Sequence, residues 1–165
     1  MDFFYMFNKQ KCFKSLAVAN YLLMESNNGE KYTLTPMKML KLVYIAHGYM
    51  LGKYDKPLLD EPVRAWKYGP VVKSLYNAIR KYRSLPIKKI DKADRWNGSF
   101  TVEEKEVMDF VMRHYSSFDA ILLSSAIIKE GTPWDICSLQ GTYMSNELIS
   151  CFYKEIINSK THSAL

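Results

Sequence analysis

Residues 37–51, MKMLKLVYIAHGYML, are apolar almost all the way round. Met37, Met39, Leu40, Leu42, Val43, Tyr44, Ile45, Ala46, Tyr49, Met50 and Leu51 cover most of a helical circumference. A helix without a broad polar face has no side to give to water, so it belongs in the middle of a bundle. The run predicts a central core helix with other helices around it. Lys38 and Lys41 leave one narrow polar stripe, continued by Gly48. Thr35 suits the N-cap, and Pro36 suits the first helical position, where its missing N–H is an orphan donor anyway. Gly52 is expected to end the helix. His47 has no second His or carboxylate three or four residues away, so it reads as a core or edge histidine and not as a metal ligand.

The elements on either side are more ordinary. A first helix is expected over residues 14–26, broken by NNGEKY. GKYDKPLLDEP is a loop, and VRAWKY, residues 63–68, reads as a short strand stopped by Gly69 and Pro70. A third helix is expected from Pro70 to Arg83, with Val72, Leu75, Tyr76 and Ile79 as its apolar stripe. LPIKKI, residues 85–90, is expected as a short strand pairing with 63–67. Thr101 and Glu104 form a capping box at the start of a fourth helix. Asp119 caps a fifth, which Gly131 and Pro133 end. Leu148, Phe152 and Ile156, beside Ile149, Tyr153 and Ile157, mark a last helix over about 145–158. The sum is a mainly α, α+β fold: one compact domain of about six helices around a central hydrophobic helix, with a small hairpin-like β element. The domain is expected over 14–158, with an N-terminal extension, 1–13, and a flexible tail, 159–165.

At 165 residues the chain is long enough for one domain with a real core. No apolar run approaches the roughly 18 residues of a membrane span. MDFFYMFNKQK has its acid before its short apolar part and its lysines after it, unlike a signal peptide. Cys12, Cys137 and Cys151 are odd in number and far apart in sequence, which predicts reduced, mostly structural thiols in a cytoplasmic protein. The histidines are His47, His114 and His162. No HExxH, no paired Cys/His set, no Walker-type loop and no GxSxG elbow appears. The expectation is a protein without catalytic, cofactor-binding or metal-binding residues, and not an enzyme.

Charge is placed unevenly. Residues 1–95 carry 18 Lys+Arg against 8 Asp+Glu, whereas residues 96–165 carry 5 against 9. The densest basic stretch, RKYRSLPIKKIDKADR, runs from Arg80 to Arg95. It suits nucleic acid, an acidic protein surface, or simply solvent. Tyr82 and Trp96 could stack on unpaired bases, although Tyr82 also continues the apolar stripe of the third helix. The stretch DEPVRAWKYGPVV, residues 60–72, concentrates Arg64, Trp66, Lys67 and Tyr68 in one short link. Val63 and Ala65 face one way there and Arg64, Trp66 and Tyr68 the other. Gly69 permits a backbone angle other residues resist, and Pro70 is expected to set the first helical turn. On one reading Trp66 and Tyr68 bolt this joint to the central helix. On the other, Arg64, Trp66, Lys67 and Tyr68, with Arg80 and Arg83, are partner-binding anchors, since Trp, Tyr and Arg dominate binding hot spots.

The segment LTPMKMLKLVYIAHGYMLGKYDKPLLDEPVRAWKYGPVVKSLYNAIRKY, residues 34–82, closely resembles the Panacea domain of SocA-like antitoxins, a family that includes phage-associated GepA-like proteins. LAVANYLL resembles the first helix of that family, and LLSSAIIKEGTPWDI its second block. Where that block often carries Thr-His, this chain has Ile127 and Ile128, so a role tied to the histidine is not carried over. The resemblance implies a bacterial or prophage antitoxin that neutralises a cognate toxin by direct binding. It also implies an adaptor role, delivery of the toxin to the ClpXP protease; binding to DNA of its own operon is the expectation that the basic stretch 80–95 raises by itself.

Overall fold

The computed structural model describes residues 12–28, 32–139 and 143–162. The N-terminal extension, apart from Cys12 and Phe13, lies outside the described residues, as do the last three residues of the expected tail. Seven helices and three short strands are described: α1 (Lys14–Asn28), α2 (Pro36–Tyr54), β1 (Val63–Trp66), β2 (Gly69–Val71), α3 (Lys73–Ile79), α4 (Val102–Tyr115), α5 (Ala120–Ile127), α6 (Pro133–Ser138), β3 (Tyr143–Met144) and α7 (Asn146–His162). Arg80–Tyr82 and Ala93–Arg95 are single 3₁₀ turns. The fold is mainly α with a minor antiparallel sheet, as the pattern of the sequence implies.

α2 is the central helix. Every residue from Lys38 to Leu51 is buried, and α2 touches α1, α3, α4, α5, α7 and β2. Each large apolar side chain sealed along it contributes about 1.5–3 kcal/mol of transfer free energy. Thr35 has the extended backbone of an N-cap but makes no capping hydrogen bond through its side chain, and Pro36 opens the helix. Gly52 does not end it. The helix continues to Tyr54 and stops at Asp55, which takes a left-handed φ of 55° and donates its N–H to the Leu51 carbonyl.

Gly48 and Gly52 instead let α7 come close. A Cβ at Gly48 would lie 2.2 Å from Cε2 of Tyr153, and one at Gly52 would lie 2.9 Å from the Tyr153 carbonyl carbon. Tyr153 is 4 % exposed and meets Tyr44 and Tyr49 edge to face, at 6.0 and 5.3 Å between centroids. The stripe of Lys38, Lys41 and Gly48 is therefore not a solvent face. Both lysines are buried, at 8 % and 2 % exposure.

The sheet differs from expectation. β1 pairs with β2, with Arg64 opposite Val71, Ala65 opposite Pro70 and Trp66 opposite Gly69. On its other edge β1 pairs with β3. Residues 85–90 form no strand; Ile87 donates its N–H to the Leu34 carbonyl at 2.8 Å, and Tyr82 Oη binds both the N–H and the carbonyl of Lys89. Pro70 likewise does not begin α3. It lies in an edge strand, where a residue without an N–H is tolerated, and the helix starts at Lys73. Gly69 follows the two-residue link Lys67–Tyr68 with φ 115°, a left-handed value that glycine adopts without strain.

The capping signals hold at two helices. Thr101 and Glu104 form the reciprocal box at α4, and Asp119 accepts from the Leu122 N–H at 2.7 Å at α5. Pro133 opens α6 behind a Thr132 cap, and α5 has already ended at Ile127. α7 runs on to His162, so part of the expected tail is helical.

Candidate functional site

Three elements leave a groove of about 590 Å³ between them. The first turns of α2 contribute Pro36, Met37, Leu40 and Lys41. The β1–β2 hairpin contributes Trp66, Lys67, Tyr68 and Val71. The end of α3 and the turn after it contribute Tyr76, Arg80 and Arg83. Of the six residues singled out in the sequence as binding anchors, five line this groove. They meet because the hairpin folds the Trp66–Tyr68 tip back over α2, and because the 3₁₀ turn that follows α3 brings Arg80 and Arg83 beside Tyr76.

Arg64 goes elsewhere. Its guanidinium donates to Tyr143 Oη at 2.7 Å and lies over the same ring, 4.7 Å from its centroid. The hairpin residues thus differ in what holds them. Trp66 is half-buried, 5.0 Å edge to face from Tyr76, and its carbonyl accepts from Trp134 Nε1 at 2.7 Å. Tyr68 is 66 % exposed, with the Lys67 ammonium 5.4 Å from its ring centroid.

Lys41 is the residue that pattern reading missed. Its side chain is almost wholly enclosed, yet among the described residues it has neither a hydrogen bond nor an ion pair. Its Nζ packs against the hairpin at Gly69, where an added Cβ would fall 2.4 Å away. Burial alone lowers its pKa to about 8. Lys38, three residues earlier, is treated differently: its Nζ donates to the Ser116 carbonyl at 2.5 Å and lies 5.8 Å from the Tyr32 centroid. The signal for Lys41 was two lysines on an otherwise apolar helix. A cation facing an internal groove and one facing solvent look the same in sequence.

None of the described residues lining the groove is acidic, so Lys41, Lys67, Arg80 and Arg83 give it a uniformly positive lining. A second pocket, of about 330 Å³, lies between α2, α4 and α7. Two of its cations are engaged within the described residues: Lys53 pairs with Glu106, and Lys160 Nζ donates to Tyr49 Oη at 2.8 Å. The basic stretch from Arg80 is also partly tied to itself. Lys81 pairs with Asp91, and Trp96 packs on Phe100 at 4.7 Å and beneath the Lys14 ammonium.

The histidines do not converge. His47 is fully buried; Nε2 donates to Asn146 Oδ1 at 3.0 Å and Nδ1 accepts from the Leu59 N–H, and burial lowers its pKa to about 4. His114 stacks on Phe110 with Nδ1 at the Phe110 carbonyl. Among the described residues no group of three His, Cys, Asp or Glu is placed to hold a metal, no disulfide forms, and no helix is long and apolar enough to cross a membrane.

The family model described as antitoxin SocA-like, Panacea domain, matches residues 39–135. That span takes in most of α2, the hairpin, and the helices through the start of α6. The chain belongs to this family of SocA-like antitoxins. No curated protein and no solved structure matches it.

Proposed function

We propose that the protein is an antitoxin that neutralises a cognate toxin by direct protein–protein binding, with the groove between α2, the hairpin and α3 as part of the interface. The observation that carries this reading is the gathering of Trp66, Lys67, Tyr68, Arg80 and Arg83 around one concave, positively lined surface in a chain of an antitoxin family. Aromatic and Arg side chains in a recess supply most of the energy in protein interfaces, and a one-signed lining steers a complementary partner. The action is occlusion: no bond is made or broken, and no cofactor is required.

The test is co-expression with the product of the adjoining open reading frame, in the bacterial or prophage setting that the family suggests. That product should arrest growth alone, and the arrest should be relieved by this protein. A neighbour that is harmless alone, or still toxic beside it, defeats the reading. The basic segment 80–95 favours a second reading, a regulator that binds DNA of its own operon. Such binding should weaken steeply with salt, and no retention of DNA at low salt would remove it. Delivery of the toxin to ClpXP would instead shorten the toxin's lifetime in the cytoplasm.

A further inference from the structure

We propose that the groove is a receptor for an acidic side chain of a protein partner, seated on the Lys41 ammonium with an apolar neighbour of that acid against Trp66. This deepens the antitoxin reading and rests on it for who the partner is.

Lys41 is the starting point. It is 2 % exposed and, among the described residues, carries neither a hydrogen bond nor an ion pair. A buried cation without a partner is unfavourable, and the fold has solved that problem at Lys38 with the Ser116 carbonyl. At Lys41 it leaves the ammonium at the floor of an open groove. The hairpin is shaped to allow this: Gly69, which has no Cβ, is the residue against Nζ. A carboxylate arriving there forms a charge-assisted hydrogen bond, about twice as strong as a neutral one. Lys67, Arg80 and Arg83 around the mouth reinforce the same sign, and apolar walls focus that potential inward.

The shape of the site separates carboxylates from nucleic acid. A carboxylate stands at the end of a slim side chain and can reach a recessed ammonium. A phosphodiester carries a sugar on each side and approaches a recessed ammonium less readily than a carboxylate does. The walls also ask for apolar company: Met37, Trp66 and Tyr76 line the groove beside the ammonium.

The test uses the full chain, labelled with nitrogen-15, and three probes. The first is the acetylated, amidated tripeptide Phe-Glu-Phe; the second is its isostere Phe-Gln-Phe; the third is a thymidine octanucleotide. The glutamate peptide should shift the Gly69 and Lys41 amides and the Trp66 indole resonance saturably. The glutamine peptide should bind at least about tenfold more weakly, the loss expected for one charge-assisted contact. Lys41→Met should bring the glutamate peptide down to the level of the glutamine one, with the remaining spectrum unchanged. Equal binding of the two peptides to the wild-type chain overturns the proposal, whether or not the variant folds. So does undiminished discrimination in Lys41→Met, or displacement of the glutamate peptide from these resonances by the oligonucleotide. If co-expression relieves the toxin while the glutamate peptide fails to bind, the receptor is wrong and the antitoxin reading stands. If the peptide binds as expected but co-expression gives no relief, the receptor stands and the antitoxin reading falls.

Discussion

The two ends of α2 use the same helix for opposite purposes. Toward its C-terminus, Gly48 and Gly52 remove side chains so that Tyr153 of α7 can lie against the backbone, and His47 has both ring nitrogens engaged. Toward its N-terminus, two lysines are buried, and one of them has no partner among the described residues. The first end is closed by packing and hydrogen bonds. The second is left open, and a buried cation without a partner costs stability; on the proposed reading that cost serves binding.

The largest effect expected at the closed end is from Tyr153→Ala. It should cost about 3–5 kcal/mol in denaturant unfolding, the range for removing a buried aromatic side chain. Acid should act at the same end. His47 is neutral in the fold with a pKa near 4, below the 6.5 of an unfolded histidine. Between those values the unfolded chain binds the extra proton, so the stabilisation is full above pH 6.5 and is lost as pH falls toward 4. The loss is on the order of 3 kcal/mol, and a His47→Gln variant should lack that slope.

Gly48→Ala should cost about 1–3 kcal/mol by overpacking the Tyr153 ring, although alanine is the better helix former by about 1 kcal/mol. In a Tyr153→Ala background the penalty should largely vanish, since the atoms it would strike are gone. The smallest effect is at the other end. Lys38→Met should destabilise by about 1 kcal/mol, because the Ser116 carbonyl loses its buried donor. A stabilising Lys38→Met would erase the distinction between the two lysines.

Much of the fold was legible because its signals are local or periodic. The all-round apolar run of α2, the Thr101–Glu104 box, the Asp119 cap and the spacing of Tyr153 with Ile149 and Ile157 each report their own element. The alternation of Val63 and Ala65 with Arg64 and Trp66 also matches the burial of β1. What failed was pairing. β3 has two residues, too short to leave a pattern, and its partner lies some eighty residues away in the chain. Residues 85–90 alternate plausibly but give their backbone contacts to Leu34 and Tyr82. Pro70 looked like a helix opener because Pro often is one; its place opposite Ala65 depends on the hairpin closing first.

The site was half legible. Trp66, Lys67, Tyr68, Arg80 and Arg83 stood out by type, and the structure brings them to one groove. Arg64 stood out equally but is held by Tyr143, a partner no spacing rule connects to it. Lys41 was seen and misplaced, because helical periodicity gives a direction around the axis and not what lies in that direction.

The most direct measurement is made on Lys41→Met, with unfolding free energy and relief of toxicity read from the same protein. Lys41 has its pKa lowered to about 8 in the fold, so at pH 7 its charged form is held at a cost that methionine does not bear. The variant should be about 1–3 kcal/mol more stable than the wild-type chain, with the gain shrinking above pH 8 as Lys41 loses its proton, and it should fail to protect cells from the adjoining gene product. A variant that is less stable, or that protects as well as the wild type, would contradict the claim that this end of α2 gives up stability for binding.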